Sequence, residues 1–395
     1  MLVYADNAAT TKISSSARDA MIKCMDEFYG NPSSLHSVGQ AAAEKLAWAR
    51  GEVASLIGAD SGEIYFTSGG SEADNQALLT AAALGERKGK KHIISTKFEH
   101  HAVLHTLEKL KKRGFEIQLL DVYQNGIVKP EDVENAIRED TAVVSVMFAN
   151  NEIGTIQPIA EIGEICKKHG VIFHTDAVQA IGHLSIDVKA MNIGMLSASA
   201  HKFHGPRGVG FLYCRKGIFL QNLIEGGAQE KGKRAGTENL PAIVGMAVAM
   251  KDACDKIEEN SKKLSAMRDR LIEGLSVIPH SVVNGDKTAR LPGNVNMCFE
   301  GIEGESLLLM LDMNGIEASS GSACTSGSLD PSHVLLSIGL PHEVAHGSLR
   351  LSLSEENTME QMDYIVEKVP QIVGYLRNMS PVWDELEKGE RKHVI

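Results

Sequence analysis

Short apolar segments alternate with longer amphipathic segments between about residues 63 and 214, and this alternation restricts the folds open to the chain. Residues 142–148, AVVSVMF, are almost entirely apolar and lack the period of two that marks a strand with one wet face. Strands of a parallel sheet have this composition because helices cover both of their faces. The pattern predicts an α/β fold over the first 250 residues, with strands over 63–67, 92–96, 116–120, 142–148, 171–175 and 209–213 and helices over 102–113, 130–138 and 158–169. Before these segments, residues 14–16 are predicted to cap a helix that runs to about residue 29, and a second helix is predicted from Gln40 to about residue 57.

The C-terminal third has a different pattern. After a long polar helix predicted near residues 260–275, two strands and two helices are predicted, over 294–299, 349–353, 305–313 and 359–376. A chain of 395 residues is long enough for two cores. We therefore expect a large α/β domain over 14–258 and a small α+β domain formed by 1–13 and 259–395, ending in a charged, loose tail over 383–395.

Polar groups follow four of the predicted strands. Because the carboxyl ends of parallel strands meet at one edge of a sheet, these groups are predicted to share a pocket. The groups are Glu99 with His100 and His101, Asn150 with Asn151 and Glu152, Asp176 with Gln179, and Ser199 with His201 and Lys202.

Lys202 lies in the segment 197–210, SASAHKFHGPRGVG, where a turn separates two predicted strands. A lysine amine in a partly dry pocket beside other cations loses its proton more easily and becomes a nucleophile. An isolated loop lysine is more often a solvated charge, so the other pocket residues decide its role.

The segment 68–72, SGGSE, is a glycine turn predicted to open a helix. Backbone N–H groups and the helix dipole at such a turn suit a phosphate group. No GK[ST] or GxGxxG pattern accompanies it, and Ser71 as an ordinary helix cap is the competing interpretation.

Cys324 differs from the other cysteines of the chain. It lies in residues 319–328, SSGSACTSGS, a Ser/Gly-rich loop on which an exposed thiol can reach a substrate. The other five cysteines lie among apolar neighbours and are predicted to be free thiols in the core, because no CxxC pair is present. They are Cys24, Cys166, Cys214, Cys254 and Cys298.

Composition and charge narrow the class of partner. With 51 acidic and 40 basic residues the net charge is −11, which disfavours nucleic acid or an anionic membrane as the main partner. The first residues lack the pattern of a signal peptide, and we expect a cytoplasmic protein. The histidines His100, His101, His201 and His204 form no HxH or HExxH motif among themselves, so no metal site is predicted from them.

The chain resembles the cysteine desulfurases, which are fold-type I pyridoxal phosphate (PLP) enzymes of the class-V aminotransferase family. The resemblance rests on the motifs around Lys202, Asp176, His100, Asn151 and Cys324, which occur in the family's order from about residue 4 to residue 383. It implies a mainly parallel seven-stranded sheet in the large domain. The RAGTEN stretch at 234–239 and the uninterrupted cysteine loop are most similar to the nitrogen-fixation branch.

The resemblance also implies roles for individual residues toward PLP. Lys202 would hold the cofactor and move protons, Asp176 would pair with the ring nitrogen, and His100 would stack on the ring. The remaining contacts implied are Gln179 to the ring hydroxyl oxygen, Gly70, Ser71, Ser199 and His201 to the phosphate, and Thr237 to the phosphate across the interface of a homodimer.

The implied substrate is L-cysteine. Arg350 would bind its carboxylate with help from Asn151, and Cys324 would accept its sulfur as a persulfide, leaving L-alanine. The sulfur would then pass to a scaffold protein that assembles iron-sulfur clusters. Two alternatives stay open at this stage: a selenocysteine lyase or class-V aminotransferase, and a non-catalytic sulfur carrier or scaffold that needs Cys324 but no PLP.

Overall fold

The computed structural model describes residues 1–320 and 331–395, and within these ranges no helix is long and apolar enough to cross a membrane. The strands are β1 (Val3–Tyr4), β2 (Ile64–Thr67), β3 (His92–Thr96), β4 (Glu116–Leu120), β5 (Thr141–Ser145), β6 (Ile172–Asp176), β7 (Met195–Ser199), β8 (Gly210–Cys214), β9 (Ser281–Val283), β10 (Asn294–Phe299), β11 (Ile316–Glu317) and β12 (Ser348–Ser352). The helices are α1 (Ser15–Glu27), α2 (Ser37–Ser55), α3 (Gly70–Glu86), α4 (His101–Lys112), α5 (Pro130–Ala136), α6 (Ile159–Lys168), α7 (Gln229–Gly232), α8 (Leu240–Asp255), α9 (Ile257–Leu275), α10 (Gly304–Met313), α11 (His333–Ser337), α12 (His342–Ala345), α13 (Met359–Asn378) and α14 (Pro381–Glu387).

The larger sheet has seven strands in the order β2-β8-β7-β6-β5-β3-β4. The pairs from β7 through β4 are parallel, and β8 runs antiparallel to both of its neighbours. Every residue of β3, β5 and β7 is buried, as expected for strands of a parallel sheet that helices cover on both faces. The predicted α/β fold with a mainly parallel seven-stranded sheet is confirmed.

A second hydrophobic core forms around the three-stranded antiparallel sheet β12-β10-β9 and helices α9, α10 and α13. The N-terminal strand β1 pairs in parallel with β11, and Val3 and Ala5 are fully buried in this second core. The division into domains at 14–258 and 259–395 stays a prediction.

The C-terminal tail differs from the prediction. Residues 381–387 form helix α14, and Trp383 is only 9% exposed because its ring packs on Gly301 and against the guanidinium of Arg377, 3.9 Å from the ring centroid. The charged composition suggested a loose tail, but two apolar side chains, Trp383 and Leu386, anchor it.

Helix α2 also begins earlier than predicted. It starts at Ser37 because the Nδ1 atom of His36 accepts a hydrogen bond from Gly39 N at 3.2 Å, which caps the helix. Histidine is outside the usual set of N-cap residues, so the sequence pattern placed the start at Gln40.

Helix α3 sets the position of the glycine turn. Its buried face, which includes Ala73, Ala77 and Ala81, packs on the seven-stranded sheet. Near its C-terminal end, a Cβ on Gly85 would lie 2.5 Å from Ala142 Cβ and 2.9 Å from the Lys90 carbonyl oxygen. The absence of a side chain at Gly85 therefore lets the helix pack closely on β5.

We expect Gly85→Ala to lower the free energy of unfolding by roughly 1–3 kcal/mol, because the new methyl group overpacks the contact between α3 and β5. The matched control is Gly51→Ala in α2, where a Cβ has no atom within 4 Å. Alanine there should raise stability by about 0.5–1 kcal/mol. Chemical and thermal unfolding of both variants measures the difference, and equal shifts would contradict the packing argument.

Candidate active site

A cavity of about 620 Å³ lies at the edge of the seven-stranded sheet where the parallel strands end, and we call it the central cavity. Asp176 is the last residue of β6, Ser199 is the last residue of β7, and both line it. The structure brings most of the sequence-predicted residues to this cavity: Gly70, Ser71, His100, Asn151, Asp176, Gln179, Ser199, His201, Lys202 and Arg350.

Lys202 ends a short 3₁₀ turn that follows β7 directly. Its Nζ atom donates hydrogen bonds to the carbonyl oxygens of Ala8 at 2.6 Å and Ala9 at 2.9 Å. These carbonyls belong to the extended N-terminal segment, which also forms part of the cavity wall. The amine is therefore oriented into the cavity by main-chain acceptors.

Two of the residues that line the cavity, Asp176 and Asp74, carry buried carboxyl groups. Burial raises the pKa of Asp176 to about 6, while the Val178 N–H and the charge of Lys202 oppose this rise. The pKa of Asp74 is raised well above its ordinary value by burial and then by the charge of Asp176. Since like charges this close exclude each other, the proton resides on Asp74 and the negative charge on Asp176.

His100 caps helix α4 with its side chain. The Nδ1 atom accepts a hydrogen bond from Ala102 N at 3.1 Å, and burial followed by the charge of Lys202 lowers the pKa of the ring to about 4. At neutral pH the ring is uncharged, and because Nδ1 is an acceptor the proton lies on Nε2. His100 therefore presents a neutral ring with an Nε2–H donor.

The glycine turn at the start of α3 faces the same space. Gly69 has φ 153, and no side chain in the described ranges caps the helix. A Cβ on Gly70 would lie 2.6 Å from Val178 Cγ2, and a Cβ on Gly210 would lie 2.8 Å from Gly69 Cα. Main-chain N–H groups therefore line this end of the cavity, together with the side chains of Ser199 and His201.

Arg350 lies on β12 and reaches the cavity from the smaller sheet. Its Nη2 atom donates to Asp6 Oδ1 at 2.8 Å and its Nη1 atom donates to the Asn151 carbonyl oxygen at 3.1 Å. The Nε atom is buried and has no hydrogen-bond partner in the described chain. A buried guanidinium with an unsatisfied donor is well suited to a carboxylate.

Glu99 lies directly beside His100 and is fully buried. Its Oε1 atom accepts hydrogen bonds from Thr96 Oγ1 at 2.6 Å and from Met147 N at 3.1 Å. Burial nevertheless raises the pKa of the carboxyl to about 8, so Glu99 is mostly protonated at neutral pH.

Two predicted site residues are not placed in the central cavity. Thr237 lines a separate, smaller cavity formed with Ser68 and Arg234. Cys324 falls in 321–330, outside the described residues. The described neighbours of that segment lie at the site, since Ser319 pairs with Arg350 and His333 Nε2 contacts the Glu99 carbonyl oxygen at 3.0 Å.

Sequence reasoning missed two features of the cavity. The Ala8 and Ala9 carbonyls are main-chain atoms, for which the side-chain sequence carries no signal. Asp74 was missed because it occupies the buried face of α3, and an acidic residue at a core position of a helix is the signal that could have identified it.

Comparisons with known proteins agree along the whole chain. The model of the class-V aminotransferase family matches residues 3–365. The cysteine desulfurase IscS of Clostridium botulinum (strain Hall) is 55% identical over 393 residues, 99% of each chain. The cysteine desulfurase IscS of Methanosarcina thermophila is 55% identical over 380 residues, covering 96% of this chain and 94% of that protein.

Solved structures give the same result for the fold. A NifS-like protein superposes with a TM-score of 0.89 at 39% identity, covering 95% of this chain and 100% of its own. The structure of SspA in complex with cysteine superposes with a TM-score of 0.79 at 35% identity, covering 89% of this chain and 99% of its own.

As the pH rises from about 5 to 8, we expect the free energy of unfolding to fall less in the Glu99→Gln variant than in the unsubstituted chain. The pKa of Glu99 is raised from 4.5 to about 8 in the folded chain, so its stabilising contribution is complete below the ordinary value and is lost as the pH rises through the folded value. One such group changes the free energy of unfolding by at most about 1.4 kcal/mol per pH unit.

Thermal unfolding of both proteins across this pH range makes the comparison. Glu108→Gln, at an exposed position of α4, is the control and should follow the unsubstituted chain. If the stability curve of the Glu99→Gln variant also ran parallel to that of the unsubstituted chain, the assignment of a buried proton to Glu99 would be wrong.

Proposed function

The chain belongs to the class-V aminotransferase family and is a cysteine desulfurase, and from this premise we propose that the central cavity binds pyridoxal 5'-phosphate (PLP) and desulfurates L-cysteine with Lys202 and Cys324. The desulfurase function rests on 55% identity over the full chain to curated cysteine desulfurases. The alternatives of a selenocysteine lyase, another class-V aminotransferase or a non-catalytic sulfur carrier are not favoured by these relatives.

One observation carries the assignment of the residues. The Lys202 amine, the buried Asp176 carboxylate and the glycine turn at the start of α3 line the same cavity. PLP has an aldehyde, a basic ring nitrogen and a phosphate, and these three groups match an amine, a carboxylate and a helix N-terminus, respectively.

The charge of the cavity fits the ring nitrogen. A buried carboxylate without a cation is costly, and the raised pKa of Asp176 reflects that cost. A protonated ring nitrogen would add a cation beside this carboxylate, in addition to the charge of Lys202. Asp74 retains its own proton behind Asp176, so a single negative charge faces the ring. The other contacts proposed are Gln179 to the ring hydroxyl oxygen and Gly70, Ser71, Ser199 and His201 to the phosphate.

When bound, PLP withdraws electrons from the α-carbon of an amino acid. The protein must then remove and return protons. Lys202 is the base we propose, because the carbonyls of Ala8 and Ala9 hold its amine in the cavity. His100 is neutral and carries its proton on Nε2, so it would stack on the ring and donate a hydrogen bond from that atom.

Arg350 would bind the substrate carboxylate. Its Nε atom is a buried donor with no partner among residues 1–320 and 331–395, and the Nη2 atom now paired with Asp6 could exchange that partner for the substrate. Asn151, whose main-chain oxygen accepts from Arg350 Nη1, would orient the guanidinium. A guanidinium suits this task because it binds a carboxylate through two parallel hydrogen bonds.

Cys324 would accept the sulfur. The Cys324 thiolate attacks the sulfur of L-cysteine, an S–S bond forms as the C–S bond breaks, and the electron pair of that C–S bond takes up a proton to give L-alanine. The products are a persulfide on Cys324 and alanine, so no external oxidant is needed. The described residues 319 and 333 lie against Arg350 and Glu99, which supports a path from the cavity to this segment.

The sulfur acceptor and the assembly state are further parts of the proposal. The name IscS of the relatives supports transfer of sulfur to a scaffold protein for iron-sulfur clusters. Thr237 lies outside the central cavity of its own chain, which suits a contact with the phosphate site of a second copy in a homodimer. A cytoplasmic location and the similarity to the nitrogen-fixation branch stay predictions.

Lys202→Ala should remove the visible absorption band of protein-bound PLP and stop release of alanine from L-cysteine, because the amine that binds the aldehyde is lost. Absorbance spectra and an alanine assay measure both effects. The control is Lys189→Ala, an exposed lysine paired with Asp60, which should leave both unchanged. Turnover by the Lys202 variant would refute its role.

Cys324→Ala should bind PLP as the unsubstituted chain does, yet form no persulfide from sulfur-labelled L-cysteine. Peptide mass spectrometry locates the label. Cys254→Ala is the control, because burial raises the pKa of the Cys254 thiol to about 11 and makes it a poor nucleophile. Label on a cysteine other than Cys324 in the unsubstituted chain would count against the assignment.

A further inference from the structure

A second cluster of titratable side chains lies where the C-terminal tail meets the start of β9 and the end of β10, which are adjacent in the smaller sheet. It consists of His280, Glu300 and His393, whose ligand atoms all lie within 4.8 Å of one another. None of the three lines the central cavity. We propose that this cluster is a Zn²⁺ site that fastens the tail to the smaller sheet.

The two histidine Nδ1 atoms approach the same carboxylate oxygen. The Nδ1 atoms of His393 and His280 lie 2.8 Å and 3.6 Å from the same oxygen, Oε2 of Glu300. Ligands of a tetrahedral zinc ion at about 2.0–2.1 Å are separated from one another by roughly 3.3 Å. The observed separations lie on either side of that value. Because a zinc ion lies in the plane of each imidazole that binds it, the two stacked rings would tilt apart when the ion binds.

The two imidazole rings are held in place as a pair. They stack with their centroids 3.6 Å apart at an angle of 16°. The ring of Trp383 meets both of them edge-on, at 5.6 Å from His280 and 5.5 Å from His393. The stack directs both Nδ1 atoms to the same side, toward the carboxylate.

The charge balance favours a cation between the rings and Glu300. Glu300 is 4% exposed, and its Oε1 atom accepts a hydrogen bond from Val394 N at 2.8 Å. The adjacent Arg377 donates to the main-chain carbonyl oxygens of Pro279, His280 and Glu300. Arg377 therefore fixes the backbone before β9 and after β10. The side-chain carboxylate of Glu300 is left to the two histidines or to a metal ion.

A fourth ligand, an oxygen atom, lies beside the other three. The main-chain oxygen of Ile395 lies 2.7 Å from His280 Nδ1. Without metal this contact is a hydrogen bond from the Nδ1–H group, and a metal ion would displace that proton. Two imidazole nitrogens and two oxygens form a tetrahedral donor set that suits Zn²⁺ better than Mg²⁺ or Ca²⁺, which prefer oxygen ligands alone.

The test uses the full-length holoenzyme carrying Cys324→Ser, so that the loop thiol cannot bind metal. After treatment with a chelator, ZnCl₂ is titrated by calorimetry, and bound metal is counted by mass spectrometry. We expect one Zn²⁺ per chain. His393→Ala and His280→Ala should each weaken binding at least about 100-fold, because loss of even an outer-shell partner of a metal ligand costs 10–100-fold.

The chain offers a matched control in His342 and His346, a second histidine pair with ring centroids 4.6 Å apart. His342→Ala/His346→Ala should retain full Zn²⁺ binding. In chelator, His393→Ala should keep the cooperative unfolding transition of its parent, with a midpoint lowered only by the lost contact to Glu300, which separates a lost ligand from a lost fold. Zn²⁺ should also slow proteolysis of the tail in the parent and not in His393→Ala.

Two results would overturn the proposal. One is the absence of stoichiometric Zn²⁺ binding by the parent protein at micromolar free metal. The other is Zn²⁺ binding of unchanged affinity in both His280→Ala and His393→Ala. In either case the cluster is a hydrogen-bonded contact of the tail alone. Neither result bears on the desulfurase assignment, which rests on the central cavity.

Discussion

The hydrogen bonds from the Lys202 amine to the carbonyl oxygens of Ala8 and Ala9 join two distant parts of the chain at the site. The same N-terminal segment pairs with His201 through Thr11 N and with Ser352 through Asn7 N. It thus links the turn after β7 in the larger sheet to β12 in the smaller one. Arg350 lies on that β12 strand, so one segment aligns the proposed nucleophilic amine with the proposed carboxylate site.

Burial decides which groups of the cavity are charged. Asp74 and Glu99 hold protons because a carboxylate without a cation is costly in a dry site, while Asp176 keeps the negative charge near Lys202. Burial likewise keeps His100 neutral. The result is a charged Asp176 carboxylate near Lys202, with Asp74, Glu99 and His100 uncharged around it, an arrangement suited to an electron-withdrawing ring with a protonated nitrogen.

Predictions from the sequence succeeded where one local rule determines structure. The apolar run 142–148 predicted a buried strand of a parallel sheet, and β5, which overlaps it, is buried at every residue because helices cover both faces. The start of α1 was predicted because Ser14 is an ordinary N-cap residue, and its hydroxyl accepts from Ala17 N. Predictions failed at α2, where a histidine caps the helix, and in the tail, where Trp383 finds a partner far away in sequence.

By itself the sequence determined the α/β pattern, the polar residues at the strand ends and the family resemblance, because these depend on residue type and order. Only the tertiary structure decided which carboxyl groups hold a proton and which main-chain oxygens accept hydrogen bonds from the Lys202 amine. It also decided that His280, Glu300 and His393 lie close together. Those properties depend on burial and on distances between segments far apart in the chain. Residue order does not encode them locally, since each arises only when two separately formed elements pack together.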